Sequence, residues 1–189
     1  EGPEFSGIWV YNGGSDFQPA VGTVLSIDAA YQLYFGEPEL TNPTVTTTGE
    51  GVFLEPEVVL PGDIATAGEL SAAYVGVLVS VKDVVVESIT PDPAGQSTPT
   101  NEFSVTGGLL VDDYFYMVAP FPNEGDTITS ITGVVKYSWN NTKLLPRSVD
   151  DVVLGPPTLD AFSPDMVFMT ENTSGSATPP LVLSLTAAF

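Results

Sequence analysis

Five aspartates are the residues of this chain best suited to chemistry: the pairs Asp112-Asp113 and Asp150-Asp151, and Asp126 between them. Their carboxylates are hard oxygen donors of the kind calcium collects, roughly six to eight at a time. A calcium site built from Asp112, Asp113, Asp126, Asp150 and Asp151 is therefore one expectation, with no other cofactor foreseen. The competing expectation is that they are solvated turn residues at strand ends, since the spacing of a helix-loop-helix calcium loop is absent. The chain contains no histidine and no cysteine. That removes serine-histidine and cysteine-histidine catalysis, thiolate ligands and disulfides together. Paired carboxylates for glycoside hydrolysis remain formal possibilities among 24 acidic residues, but no spacing fixes the separation such a pair needs. The expectation is a protein that is not an enzyme.

The second group with chemical potential is aromatic: Tyr114, Phe115, Tyr116, Tyr137 and Trp139, with Lys136, Lys143 and Arg147 close by in sequence. Such residues form either a platform for sugar or nucleic acid, or ordinary strand core. Charge separates the two ligands. Four basic residues against 24 acidic ones give a formal charge of −20, and residues 1 to 81 hold no base. Such a surface repels phosphate backbones and anionic lipid, so nucleic acid and membrane insertion are not expected, whereas polysaccharide is compatible. Asn140 and Asn172 each open an N-x-[ST] triplet on an expected turn and are candidate glycosylation sites; Asn42 is disqualified by Pro43.

The elements that must position these residues are strands. Hydrophobic residues make up 43% of the 189, too many for a disordered acidic chain. FSGIWVY (5 to 11), residues 21 to 30, residues 31 to 35, and short pieces at 45 to 48 and 52 to 59 read as extended, separated by Gly, Pro and Asn turns. Only IATAGELSAA (64 to 73) has the composition of one or two helical turns. YVGVLVSVKDVVVESI (74 to 89) is the longest β-run, with a bend expected at Lys82-Asp83 where the valine alternation slips. Further strands are expected at 102 to 106, 109 to 118, 127 to 137 and 143 to 145. In the tail, residues 166 to 170 and 180 to 189 are two more extended candidates, the second with Leu181, Leu183 and Leu185 on one apolar face.

A shortened copy of the later strands opens the chain. GIWVYNGG followed by VGTVLSIDAAYQLYFGEPEL answers to GLLVDDYFY followed by EGDTITSITGVVKYSWNNTKL. The offset is 101 between Gly7 and Gly108 and reaches 104 between Leu40 and Leu144, the drift that loop insertions between fixed strands produce. The expected fold is thus all-β, with two tandem OB-like barrel or sandwich units and a strand-forming C-terminal tail. Its boundaries are 1–63 for an incomplete first unit, 64–73 for a connector, 74–154 for the second unit and 155–189 for the tail.

The runs YVGVLVSVKDVVV, EFSVTGGLLVDDY, GDTITSITGVVKYS and KLLPRSVDDVV resemble the OB-fold-like β-modules of secreted bacterial proteins, as found beside extracellular nuclease domains; residues 7 to 40 resemble a second such module. The resemblance implies an extracellular or cell-surface protein whose signal peptide has been removed, and it carries no catalytic site with it. It also implies that the first module lacks its initial strands.

An incomplete unit exposes a hydrogen-bonding edge, here around Ile8 and Val10, and such edges are normally covered. The tail residues Leu181, Val182, Leu183, Leu185 and Phe189 are candidate cover, from the same chain or from a neighbour; plain truncation of a longer protein is the third reading. Strand donation between chains implies a structural subunit of an extracellular filament, a homo-oligomer without catalysis. The alternative is a secreted polysaccharide-binding accessory module of a larger enzyme.

Overall fold

Alternating β-branched and aromatic residues yield ten strands, with one α-helical turn and one 3-10 turn (Val149–Asp151), among the residues described by the computed structural model, 3–91 and 100–155, all of which belong to one compact unit, Glu1–Pro157. In chain order they are β1 (Trp9–Tyr11), β2 (Val24–Tyr34), β3 (Glu37–Gly49), β4 (Glu57–Val58), α1 (Pro61–Ile64), β5 (Leu78–Ser88), β6 (Phe103–Val105), β7 (Leu109–Val111), β8 (Thr127–Ser138), β9 (Asn141–Leu145) and β10 (Val152–Leu154). The protein is almost entirely β, as expected. The tail strands proposed for 166 to 170 and 180 to 189 lie outside the described residues, as do Leu181, Val182, Leu183, Leu185, Phe189 and Asn172.

β5, β6, β7, β9 and β8 follow one another around a closed five-stranded barrel, with β8 returning to pair with β5. Every contact in the ring is antiparallel except β7 with β9, which is parallel. β5 can serve both sides of so small a ring because it bends. Val79 and Val81 point inward, then Val84 and Val86 do, and the change of phase falls at Asp83, whose φ is +50°. The expected bend at Lys82-Asp83 is therefore present. The interior is filled by those four valines with Phe103, Leu109, Val111, Ile128, Ile131, Val135 and Leu144. Each such side chain contributes about 1.5–3 kcal/mol on burial. β4 runs parallel to the start of β5, and β10 lies antiparallel on β8.

β1, β3 and β2 form a separate three-stranded sheet in that order. β1 is parallel to β3; β2 is antiparallel to it and meets it through a two-residue turn, Phe35-Gly36. Two corrections follow. Residues 31 to 35 are not a strand of their own but the end of β2, because Phe35 and Gly36 both take positive φ, 48° and 93°, and reverse the chain in place. The first strand begins only at Trp9, since residues 3 to 8 are spent crossing the barrel, where Phe5 N–H donates to the Ala73 carbonyl.

The crossing depends on a pair of glycines. A Cβ on Gly7 would lie 2.1 Å from the Gly76 carbonyl oxygen, and one on Gly76 would lie 2.6 Å from Ile8 N. Two backbones meet there with no room for side chains.

Composition also misplaces the helix. The only α-turn among the described residues is Pro61–Ile64, while 65 to 76 is a chain of turns. Gly68 explains this: its Cα sits so close to the carbonyls of Gly62 and Asp63 that a Cβ would be 2.5 Å and 2.4 Å from their oxygens, a compact reversal in which Leu70 N–H donates to Asp63. Local alanine content loses to that packing. Similarly, the strand expected over 109 to 118 ends at Val111, because Tyr114 N–H turns back to the Asp112 carboxylate.

Candidate functional site

The five candidate calcium ligands are not gathered at one place. Asp112 Oδ2 accepts from Lys143 Nζ at 2.8 Å while its Oδ1 accepts from Tyr114 N–H. Asp113 accepts from the Asn101 amide, and Asp126 closes a turn by accepting from Asn123 N–H at 2.7 Å. Asp151 is held by Arg147, whose Nε and Nη2 donate to separate oxygens at 2.8 Å each, and Asp150 is exposed beside it. Among the described residues no group of three or more acidic side chains is placed to hold a metal ion. Asp112 and Asp151 serve as counter-ions and Asp126 closes a turn.

Sequence reasoning overlooked the most concentrated charge in the barrel. Lys143 lies on β9, buried, and its ammonium donates to Glu102 Oε1 at 2.7 Å as well as to Asp112. β6 and β9 flank β7 in the ring, so the contact between Lys143 and Glu102, just ahead of β6, reaches across β7. Glu102 Oε2 is buried with no hydrogen-bond partner in the protein. Burial raises the Glu102 carboxyl above its usual range, outweighing the attraction of Lys143. For Lys143 burial acts downward, but its bonds to Asp112 and Glu102 prevail and the ammonium is raised. For Asp151 burial acts upward, and the hydrogen bonds from Arg147 win and lower it. A lysine at an apolar strand position with acids elsewhere in the chain was the only available signal.

A second ion pair joins the small sheet to the barrel. Lys136 on β8 donates to both oxygens of Glu37 on β3, at 2.9 Å and 2.7 Å. The same ammonium lies 4.3 Å from the Trp9 ring centre and 5.7 Å from that of Tyr114. Trp9 stacks on Phe115 at 6.0 Å, and its indole N–H donates to the Val135 carbonyl at 3.2 Å. The expected aromatic group is thus divided: Tyr116 packs on the core, Tyr137 is half-buried, and Tyr114, Phe115 and Trp139 are exposed. Asn140, a candidate glycosylation site, follows Trp139 in the β8–β9 turn and is exposed.

Ile8 and Val10 lie at the outer side of the small sheet, where β1 has β3 as its only strand partner among the described residues. Both side chains are exposed. At the far end of β2, a groove of about 1430 Å³ opens between sheet and barrel, with Val24, Leu25, Val52, Phe53 and Val77 among its lining. No family model matches the chain, and comparison with curated proteins and with solved structures found no match.

Proposed function

We propose that this protein is a non-catalytic structural subunit of an extracellular or cell-surface assembly, in which the β1–β3–β2 sheet receives strands from a neighbouring copy. The observation that carries the reading is a correspondence of registers. In the barrel, Leu110 faces Lys143 and Val111 faces Leu144 across the parallel β7–β9 contact. In the small sheet Trp9 faces Glu39 and Val10 faces Leu40, which are the residues at the repeat offsets of 101 and 104. Across β8–β9 the pairs run from Val134–Leu145 to Ser138–Asn141, and across β2–β3 from Ala30–Thr41 to Tyr34–Glu37, each displaced by 104. This supports reading the chain as two OB-like units, of which the described residues supply a closed barrel for the second and three strands for the first.

The consequence is a face left uncovered by the described residues. Val135 is 0% exposed and its counterpart Tyr31 is 62%; Leu109 is 0% exposed and its counterpart Ile8 is 41%. In the barrel these positions are covered by β5 and β6. A sheet needs a second layer over its apolar face, and unpaired edges beside such a face favour strand addition. Two added strands, antiparallel to β2 and to β1, complete the ring that β5 and β6 complete in the second unit. The apolar ribbon Leu181 to Phe189 is the proposed donor, and head-to-tail donation that does not close generates a filament.

Deleting residues 181–189 tests this by size-exclusion chromatography and negative-stain electron microscopy. Loss of polymers with the barrel still folded is the expected result; polymers of unchanged length after the cut exclude donation by that segment.

A further inference from the structure

The two hairpin tips that meet at the junction of sheet and barrel are built alike and built under strain. β2 joins β3 through Phe35-Gly36, and β8 joins β9 through Trp139-Asn140. All four residues have positive φ: 48° and 93° in the first turn, 52° and 62° in the second. Two-residue turns of this kind favour Asn or Gly at the first central position, and a bulky aromatic in the left-handed region is an outlier. Both tips nonetheless place a large aromatic there, and both rings go to solvent, Phe35 83% exposed and Trp139 72%. Neither turn gains core burial in return. Backbone strain of this kind persists where a site uses it.

The two rings border one cavity of about 480 Å³, within the range of small-ligand clefts. Tyr34 and Tyr137 extend its aromatic walls, and Gly36 lies so close to Tyr137 that a Cβ would be 2.9 Å from the ring, which holds the tips together. Glu37, Lys136 and the Asn140 side chain supply polar groups at the same cavity. The only charges there among the described residues, Glu37 and Lys136, neutralise each other through their two hydrogen bonds. The rest of the protein, at −20, repels anions, and the paired Glu37 leaves no free carboxylate in the lining to attract a cation.

We infer that the Phe35 and Trp139 tips form a clamp for a neutral oligosaccharide. Its apolar ring faces stack on the aromatic side chains, while its hydroxyls exchange hydrogen bonds with Glu37, Lys136 and Asn140. This inference is independent of strand addition: Tyr34 ends the edge strand β2, but β5 pairs with β8 only as far as Val134, the counterpart of Ala30, so a strand added in the same way stops short of the clamp.

The experiment is isothermal titration of the full chain with neutral hexasaccharides of glucose, mannose, xylose and N-acetylglucosamine, with heparin and choline as charged controls. Phe35→Asn and Trp139→Asn relieve the turns, so thermal midpoints equal to or above that of the parent protein are expected. Each is also expected to weaken binding at least about tenfold, with Trp139→Phe retaining most of it. No saturable binding of any hexasaccharide, affinity unchanged in both Asn variants, or tighter binding of heparin or choline than of every neutral sugar would each overturn the proposal.

Discussion

Replacing Lys143 by Met isolates the energetics of the buried charges. The ammonium sits 2.7 Å from Glu102 and 2.8 Å from Asp112. At an effective dielectric constant of about 20, each contact carries roughly 6 kcal/mol of attraction, against a desolvation cost of several kcal/mol for each ion. Removing one partner of such a group leaves the remaining carboxylates buried and facing each other, a loss of about 3–5 kcal/mol. Urea unfolding at pH 7 measures it. The pH dependence supplies an internal control. Glu102 already holds its proton more tightly when folded, because burial raises it. A carboxyl raised on folding contributes most below its unfolded pKa and loses that contribution as pH rises through its folded pKa. Without Lys143 the elevation grows, so Lys143→Met is expected to recover stability when the pH is lowered from 7 to 5, relative to the parent protein. Converting the whole group, Lys143→Met with Glu102→Met and Asp112→Asn, is expected to restore or exceed parental stability, since well-packed apolar replacements of buried ion groups are often neutral or stabilising by about 1–4 kcal/mol. A single-variant loss under about 1 kcal/mol, or a loss with no dependence on pH between 5 and 7, refutes the account.

The other predictions concern packing, metal and the uncovered face. Gly7→Ala and Gly76→Ala are each expected to cost more than about 2 kcal/mol, read by urea titration, because backbone atoms 2.1 Å and 2.6 Å from the new Cβ cannot yield without separating sheet from barrel. Asp151→Asn should lower stability at pH 7 and leave it nearly unchanged only once the pH is below the lowered folded pKa of Asp151, since a carboxyl lowered on folding loses its contribution progressively as pH falls from its unfolded to its folded value. Calcium or chelator should leave the melting temperature unchanged within error, because Asp112, Asp126 and Asp151 already accept internal hydrogen bonds; a rise of several degrees with calcium contradicts that assignment. Ile131→Ala is expected to cost about 2–5 kcal/mol, as for any filled core, whereas the equivalent Ile27→Ala should cost under about 1 kcal/mol in a monomer and weaken polymer formation. Comparison of unfolding midpoints and of polymer mass in the two variants checks the difference.

The β content was legible because strand period and turn spacing are local. Gly7 and Gly108 precede β1 and β7, and Leu40 and Leu144 pair with Val10 and Val111 on those strands, which keeps the spacing read from the sequence. The bend at Asp83 was legible for the same reason, as a slip in alternation. What sequence hid depends on chain segments far apart. Lys143 meets Glu102 across 41 positions, Lys136 meets Glu37 across 99, and Gly7 meets Gly76 only because residues 3 to 8 cross the barrel ahead of β1. Gly68 looked like a weak point in a helix and is instead the tight centre of a reversal, a fact set by its backbone neighbours.

Charge economy links these distant contacts to the exposed face. Three of the four basic residues are consumed internally, Lys136 by Glu37, Lys143 by Glu102 and Asp112, and Arg147 by Asp151. What remains outward is almost wholly acidic, and two such surfaces repel when they approach. Association of copies through side-chain charge is therefore disfavoured, while backbone hydrogen bonding along β1 and β2, beside Ile8, Val10 and Val24, is indifferent to that charge once apolar surface is removed from water. Salt separates the two modes. If copies associate by strand addition, raising ionic strength should speed polymer growth by screening repulsion and leave formed polymers intact. Light scattering that falls with added salt, or polymers that dissociate in it, means that the copies are held by ion pairs and that the open sheet is not the contact.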